Sequence, residues 1–221
     1  MTAFERENDL RLAGLQAAGE RFGGENGAVF EEVARGGHTI DAVVARPDPD
    51  AQAERAERGI DEPLTGDRRA IYEWVAREDA RPLGDLLDVS PASEQLEDEA
   101  LIDELIDDGW LDVTEGGLLT TVEIPRTVET IAVAFTMGDL EQARVSVGRT
   151  RSFTDEQYVV TTEACRDDVD ASAALFRAAG IGVAVLDADG ALDVVVESAP
   201  EPMEDTRTAR GLAEDAAAGW L

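Results

Sequence analysis

Apolar residues recur along this chain with two distinct periods. Thr130 to Met137 is a continuous apolar run that ends at Gly138-Asp139, as a buried strand does. Leu140, Ala143 and Val147 follow at helical spacing, and Tyr158–Thr161 is a second apolar strand, so the segment predicts a strand-helix-strand unit. Upstream, Leu10, Leu12, Leu15, Ala18 and Phe22 predict a helix over 5–21. Residues 27–33 and 38–44 then predict two strands around Gly36-Gly37, a hairpin signal. Downstream, Ala171–Ala179 predicts a helix closed by Gly180, and residues 181–186 and 192–196 flank Asp189-Gly190 as a second hairpin.

Between these parts the pattern changes. Residues 46–66 are charged and interrupted by proline, which predicts a linker with a solvated helical stretch at 51–59. From Asp67 onward three helices are predicted: one on Ile71, Trp74 and Val75, a short one on Leu83, Leu86 and Leu87, and one on Leu96, Leu101, Leu105 and Ile106. Ser90-Pro91 supplies the N-cap and first-turn proline of the third. Residues 109–113 and 118–122 then flank Glu115-Gly116-Gly117 as a hairpin. Three helices and a two-stranded wing resemble a winged helix-turn-helix domain, with residues 105–113 at its helix-to-wing junction.

The full order is α-β-β-(insertion)-β-α-β-α-β-β, with Ile40-Asp41 closing the early hairpin. This order resembles the restriction-endonuclease-like superfamily, the PD-(D/E)xK nucleases, over residues 5–45 and 126–198. The fold class it implies is α/β, a mixed sheet flanked by helices with an inserted winged helix. The implied domains are 1–45 and 124–198 as two parts of one core, 46–66 as linker, 67–123 as insertion and 199–221 as an acidic tail. Within that tail, 206–218 is a candidate helix, and Gly219-Trp220-Leu221 is a terminal aromatic anchor.

The same resemblance speaks against catalysis. The family needs an Asp at one strand end and an acid-x-Lys on the next strand: two carboxylates hold a divalent cation and the ammonium orients water. Asp41 occupies the first position, but Ala134-Phe135-Thr136 stands where acid-x-Lys belongs. Arg144, Arg149 or Arg151 could act as a displaced cation, although a planar guanidinium that stays protonated replaces Lys poorly. Glu7, Glu31 or Glu32, and Asp41 could converge as a weak cation site without catalysis. No cofactor is implied, and Mg²⁺ or Mn²⁺ enters only if the chain is a nuclease.

Charge decides the remaining readings. The chain carries 49 acidic residues against 19 basic ones, a formal net charge of −30. Every basic residue is Arg; there is no Lys. The composition resembles that of cytoplasmic proteins from salt-in halophilic archaea, where molar salt screens such self-repulsion. Lys depletion excuses Thr136, but an acid replaced by Ala134 in so acidic a chain has no such excuse. The presumed recognition helix, 93–108, contains eight carboxylates and no Arg, whereas DNA binding requires cations against phosphate. A protein partner or self-association is therefore expected ahead of nucleic acid.

A lone Cys165 excludes an internal disulfide and predicts a buried small side chain. The lone His38 has no Cys or His companion to make a metal motif. The charged N-terminus and the lack of long apolar runs predict a cytoplasmic protein without membrane contact. Three functions follow: a non-catalytic interaction or regulatory protein, a metal-dependent nuclease with displaced residues, or a winged-helix transcriptional regulator.

Overall fold

The structure is a computed structural model that describes residues 4, 6–35, 37–60, 62–76, 81–82, 95–199 and 203–219. The chain divides into two compact units, one of residues 1–48 with 128–221 and one of residues 49–127.

The first unit is α/β. Its elements are α1 (Glu7–Phe22), β1 (Ala28–Arg35) and β2 (His38–Pro47) before the second unit. The chain returns as β6 (Val128–Phe135), α5 (Leu140–Gly148), β7 (Glu156–Thr162), α6 (Arg166–Ala179), β8 (Gly182–Leu186), β9 (Leu192–Val196) and α7 (Thr206–Ala217). Six strands form one mixed sheet in the order β1-β2-β6-β7-β8-β9. The two central pairs, β6–β7 and β7–β8, are parallel, and the outer pairs are antiparallel. Parallel strands buried on both faces require continuous apolar runs, which explains Ile131–Phe135 and Tyr158–Val160.

Strand alternation sorts the core into two layers. Ile131, Val133 and Phe135 face α1, where Leu10, Leu15, Ala18 and Phe22 are buried. Ala132 and Ala134 face the other way, toward Leu140, Val147, Val169, Phe176 and Leu212 of α5, α6 and α7. Leu12, expected on the buried face of α1, is 58% exposed. Two residues beyond Leu10 it is turned about 200° from it, so the helix cannot bury both. Gly23 and Gly27 close the turn after α1 so tightly that a Cβ on Gly27 would lie 2.3 Å from the Gly23 Cα.

The β1–β2 ladder has a break that reverses this alternation. Pairing runs Glu31↔Ala42 and resumes at Val33↔Ile40, and between them Glu32 has φ 52°. As a result Phe30 and Val33 both pack in the α5–α6–α7 layer, as do Ile40 and Val43. A regular strand would place each of these pairs on opposite faces. The left-handed residue therefore shifts the phase by one position beside Asp41.

Residues 199–221, expected as an acidic tail, contain α7, which packs onto the sheet. Ala209, Leu212, Ala213 and Ala216 are buried, the last two beside Ala45 and Val128. Asp205 caps the helix, its Oδ1 accepting the Thr208 N–H at 3.0 Å. Buried Asp215 takes an ion pair from Arg35 of β1. The acids that make the segment look solvated thus lie partly on its covered side. Trp220 lies outside the described residues.

The second unit holds α2 (Pro49–Glu57), α3 (Gly66–Val75), β3 (Arg81–Pro82), α4 (Gln95–Asp107), β4 (Leu111–Val113) and β5 (Leu118–Thr121). Its strands form a sheet in the order β3-β5-β4. Trp110, Leu64, Val75, Leu105 and Ile124 are fully buried in its core. Residues 46–66, expected as a linker, are built into the two units: β2 extends to Pro47, α2 starts at Pro49, and Ile60 and Leu64 are buried. Arg55 explains why α2 is held: its Nε donates to the Pro125 carbonyl at 2.6 Å, and its guanidinium stacks 4.9 Å from the Trp110 ring centroid. The short helix expected on Leu83, Leu86 and Leu87 lies outside the described residues. Among the described residues no helix is long and apolar enough to cross a membrane.

Candidate functional site

A cleft of about 400 Å³ opens where β6 ends and α5 begins, and it gathers Asp41, Ala134 and Thr136 along one wall. Local sequence chemistry shapes that wall. Thr136 directly follows β6, and its Oγ1 accepts the backbone N–H groups of Gly138 at 3.3 Å and Asp139 at 3.1 Å. Asp139 in turn caps α5 by accepting the Gln142 N–H at 2.8 Å. From below, the Thr161 hydroxyl donates to the Thr136 carbonyl at 2.8 Å. Cys165 is buried beneath the same turn and donates from Sγ to the Met137 carbonyl at 3.2 Å.

Asp41 sits one residue beyond the last β2–β6 pair, Ala42↔Val133. Its Oδ2 accepts the Phe135 N–H at 3.0 Å, so a side chain satisfies an amide that the ladder leaves open. Glu7 of α1 reaches the same cleft, as does Asp139. Three carboxylates therefore line the cleft, and no Arg is among the lining residues described.

The expected displaced cations are elsewhere. Arg144 forms a bidentate pair with Glu141, at 2.9 Å from Nε and 2.7 Å from Nη2. That hydrogen bonding raises the Arg144 pKa and lowers that of Glu141. The i, i+3 spacing on an exposed helix face makes this local pairing available without any turn toward the cleft. Arg149 is the C-cap residue of α5, at the end of the helix opposite the cleft. Arg151 lies two residues further on. None of the three lines the cleft.

Glu32 does not join Glu7 and Asp41 either. Arg11 of α1 holds both Glu31 and Glu32, each at 2.8 Å. The Glu32 carboxylate is thereby fixed against a guanidinium, and neither Glu32 nor His38 lines the cleft. Among the described residues, no group of three or more His, Cys, Asp or Glu side chains is arranged to hold a metal ion. The donor set does not fit a catalytic Mg²⁺ or Mn²⁺, which requires about six oxygens in near-octahedral array. One Asp41 oxygen is committed to Phe135, Ala134 offers no donor, and the Thr136 hydroxyl is occupied by two backbone amides.

A second polar site lies at the opposite end of the strands and was not anticipated from sequence. Arg46 bridges Glu129 and Glu156 at 2.7 and 2.6 Å. Tyr158 stacks on Phe22 with ring centroids 4.3 Å apart and donates its hydroxyl to Glu197 at 3.1 Å. Burial is the main cause that pushes the Tyr158 hydroxyl pKa well above its ordinary value. These polar groups satisfy one another and read as a clamp on the sheet end. Only the register of β2 against β6 brings Arg46 beside Glu129, and a linear sequence does not display register.

Comparison with protein-family models, with curated proteins and with solved structures gave no match.

Proposed function

We propose that the chain is a non-catalytic interaction or regulatory protein, built on a restriction-endonuclease-like core that carries an inserted winged helix. The observation that carries this reading is the composition of the cleft wall. Asp41, Ala134 and Thr136 all line it, yet of their side chains only Asp41 is a carboxylate, and among the described residues no cationic side chain lines the space. A water-activating site needs at least a metal clamp or a general base with a partner to neutralise developing charge.

The mixed sheet with α1 on one layer and α5 on the other supports the nuclease-like ancestry. For the insertion, the succession α3, β3, α4, β4, β5 and the strand order β3-β5-β4 support a winged helix. Its α4 presents exposed Glu99, Asp103, Glu104 and Asp107. Four carboxylates on that helix oppose a polyanion, which favours a protein partner over DNA.

Mn²⁺ binding tests the reading directly. In the intact protein, Mn²⁺ titrated in molar KCl and followed by electron paramagnetic resonance should show only weak binding, the same in Asp41→Ala as in wild type. A tight single site abolished by Asp41→Ala would contradict the proposal and favour a metal-dependent nuclease.

A further inference from the structure

A second cleft, of about 290 Å³, opens at the end of the sheet opposite Asp41. Four segments supply its walls. Arg21 and Phe22 come from the last turn of α1, Arg46 from β2, Glu156 and Tyr158 from β7, and Glu197 and Ser198 from the chain just after β9. Its inner groups are fixed. Arg46 holds Glu156 at 2.6 Å and Glu129 at 2.7 Å, the Tyr158 hydroxyl donates to Glu197 Oε2 at 3.1 Å, and the Ser198 N–H donates to the Tyr158 oxygen at 3.3 Å. The outer pair is left open. Arg21 Nη2 lies 4.0 Å from Glu197 Oε1, beyond hydrogen-bond reach, and the two side chains are 52% and 71% exposed.

Charge sets this cleft apart from the rest of the molecule. The chain carries 49 acidic residues against 19 basic ones, yet the residues described around the cleft include two guanidiniums and two carboxylates. Arg11, Arg46, Arg144 and Arg166 hold their acids at 2.6–2.9 Å, so close pairing is the rule where acids are in excess. Arg21 departs from it. The C-terminal field of α1 favours a cation in its last turn, which accounts for the residue type at Arg21. It does not account for Arg46, Glu156 and Glu197 lining the same space from three other segments.

We propose that this cleft binds a small zwitterion, a molecule that carries one carboxylate and one ammonium group as a free α-amino acid does. The Arg21 guanidinium offers a planar fork to the carboxylate, and Glu197 Oε1 accepts from the ammonium. The ligand's two charges thus complete the two that the fold leaves apart. Ligands of a single sign meet an opposing pair: a metal ion faces two guanidiniums, and a phosphate faces two carboxylates. A zwitterion has no net charge, so the net −30 of the chain neither repels nor attracts it. The volume lies just below the range of about 300–1,000 Å³ for drug-sized ligands, which fits a molecule of amino-acid size. The proposal is independent of the non-catalytic reading of the Asp41 cleft, because no described residue lines both spaces.

The test is nuclear magnetic resonance of the ¹⁵N-labelled chain in molar KCl, titrated with L-alanine as the probe. Saturable shifts are expected at the amides of Phe22, Tyr158 and Ser198. Propionate and ethylammonium, which carry one charge each, should bind at least about tenfold more weakly than L-alanine. Arg21→Gln and Glu197→Gln should each weaken L-alanine binding by about tenfold or more. Arg144→Gln, the same change of charge on α5, should bind as wild type does. Both cleft positions are exposed, so unchanged amide resonances elsewhere verify the fold of the variants. No saturable shift with L-alanine, equal affinity for propionate or ethylammonium, undiminished binding in either cleft variant, or equal loss in Arg144→Gln would overturn the proposal.

Discussion

The Asp41 carboxylate accepts the backbone N–H of Phe135 at 3.0 Å and so closes the end of the β2–β6 ladder. The residue that resembles a metal ligand is doing structural work at the position where the strands part. Asp41→Ala should leave that amide to water and lower stability by about 1–2 kcal/mol, whereas Asp41→Asn should recover most of the loss. Chemical denaturation of the three proteins in molar KCl checks this; equal stabilities would remove the structural role.

The C-terminal helix should behave as part of the core. Leu212 is fully buried in the layer shared with Val43 and Phe176, so Leu212→Ala should cost about 2–5 kcal/mol. Leu175, 60% exposed on α6, is the control, and Leu175→Ala should stay within about 0.5 kcal/mol of wild type. Melting temperatures that change alike in the two variants would contradict the docking of α7.

Acid should loosen the same helix through its cap. Hydrogen bonding to Thr208 holds the Asp205 carboxyl below its ordinary pKa. A depressed folded-state pKa stabilises fully above the unfolded value, about 3.9, and that contribution is lost as pH falls through the lower folded value. Asp205→Asn keeps an acceptor but removes the titration, so stability against pH should flatten below about pH 4 relative to wild type. An unchanged acid limb in Asp205→Asn would refute the coupling.

Salt should control folding as a whole. Self-repulsion among 49 carboxylates is screened when the Debye length is about 3 Å in molar salt, and it acts across the molecule when that length is about 30 Å in dilute buffer. Stabilities of about 5–15 kcal/mol leave little reserve against it. Circular dichroism during dialysis from molar KCl should report loss of structure, and a constant spectrum and melting point would contradict this prediction.

The central strands were legible because burial on both faces leaves an unbroken apolar run, as in Ile131–Phe135 and Val183–Leu186. Asp41 lies inside β2 where its pairing with β6 stops, so its place beside Ala134 and Thr136 depends on register as well as on the apolar runs. What escaped sequence reading depends on long-range partners. The role of α2 rests on Arg55 finding Trp110, and that of Arg46 on β-register. The phase shift at Glu32 is invisible to a period-two pattern, because a non-glycine residue adopts the left-handed conformation and Arg11 holds its carboxylate from another element.

Cleavage is the most direct measure of the central claim that the cleft is not catalytic. The purified chain in molar KCl, incubated with single-stranded DNA, duplex DNA or RNA and with Mg²⁺ or Mn²⁺, should leave every substrate intact. Of the three carboxylates in the cleft, Asp41 holds the Phe135 amide and Asp139 caps α5, while Ala134 supplies no side-chain ligand and Thr136 brings no positive charge to an attacking water. Cleavage that disappears in Asp41→Ala and persists in Asp189→Ala, a substitution in the exposed β8–β9 turn, would contradict the account and restore the nuclease reading.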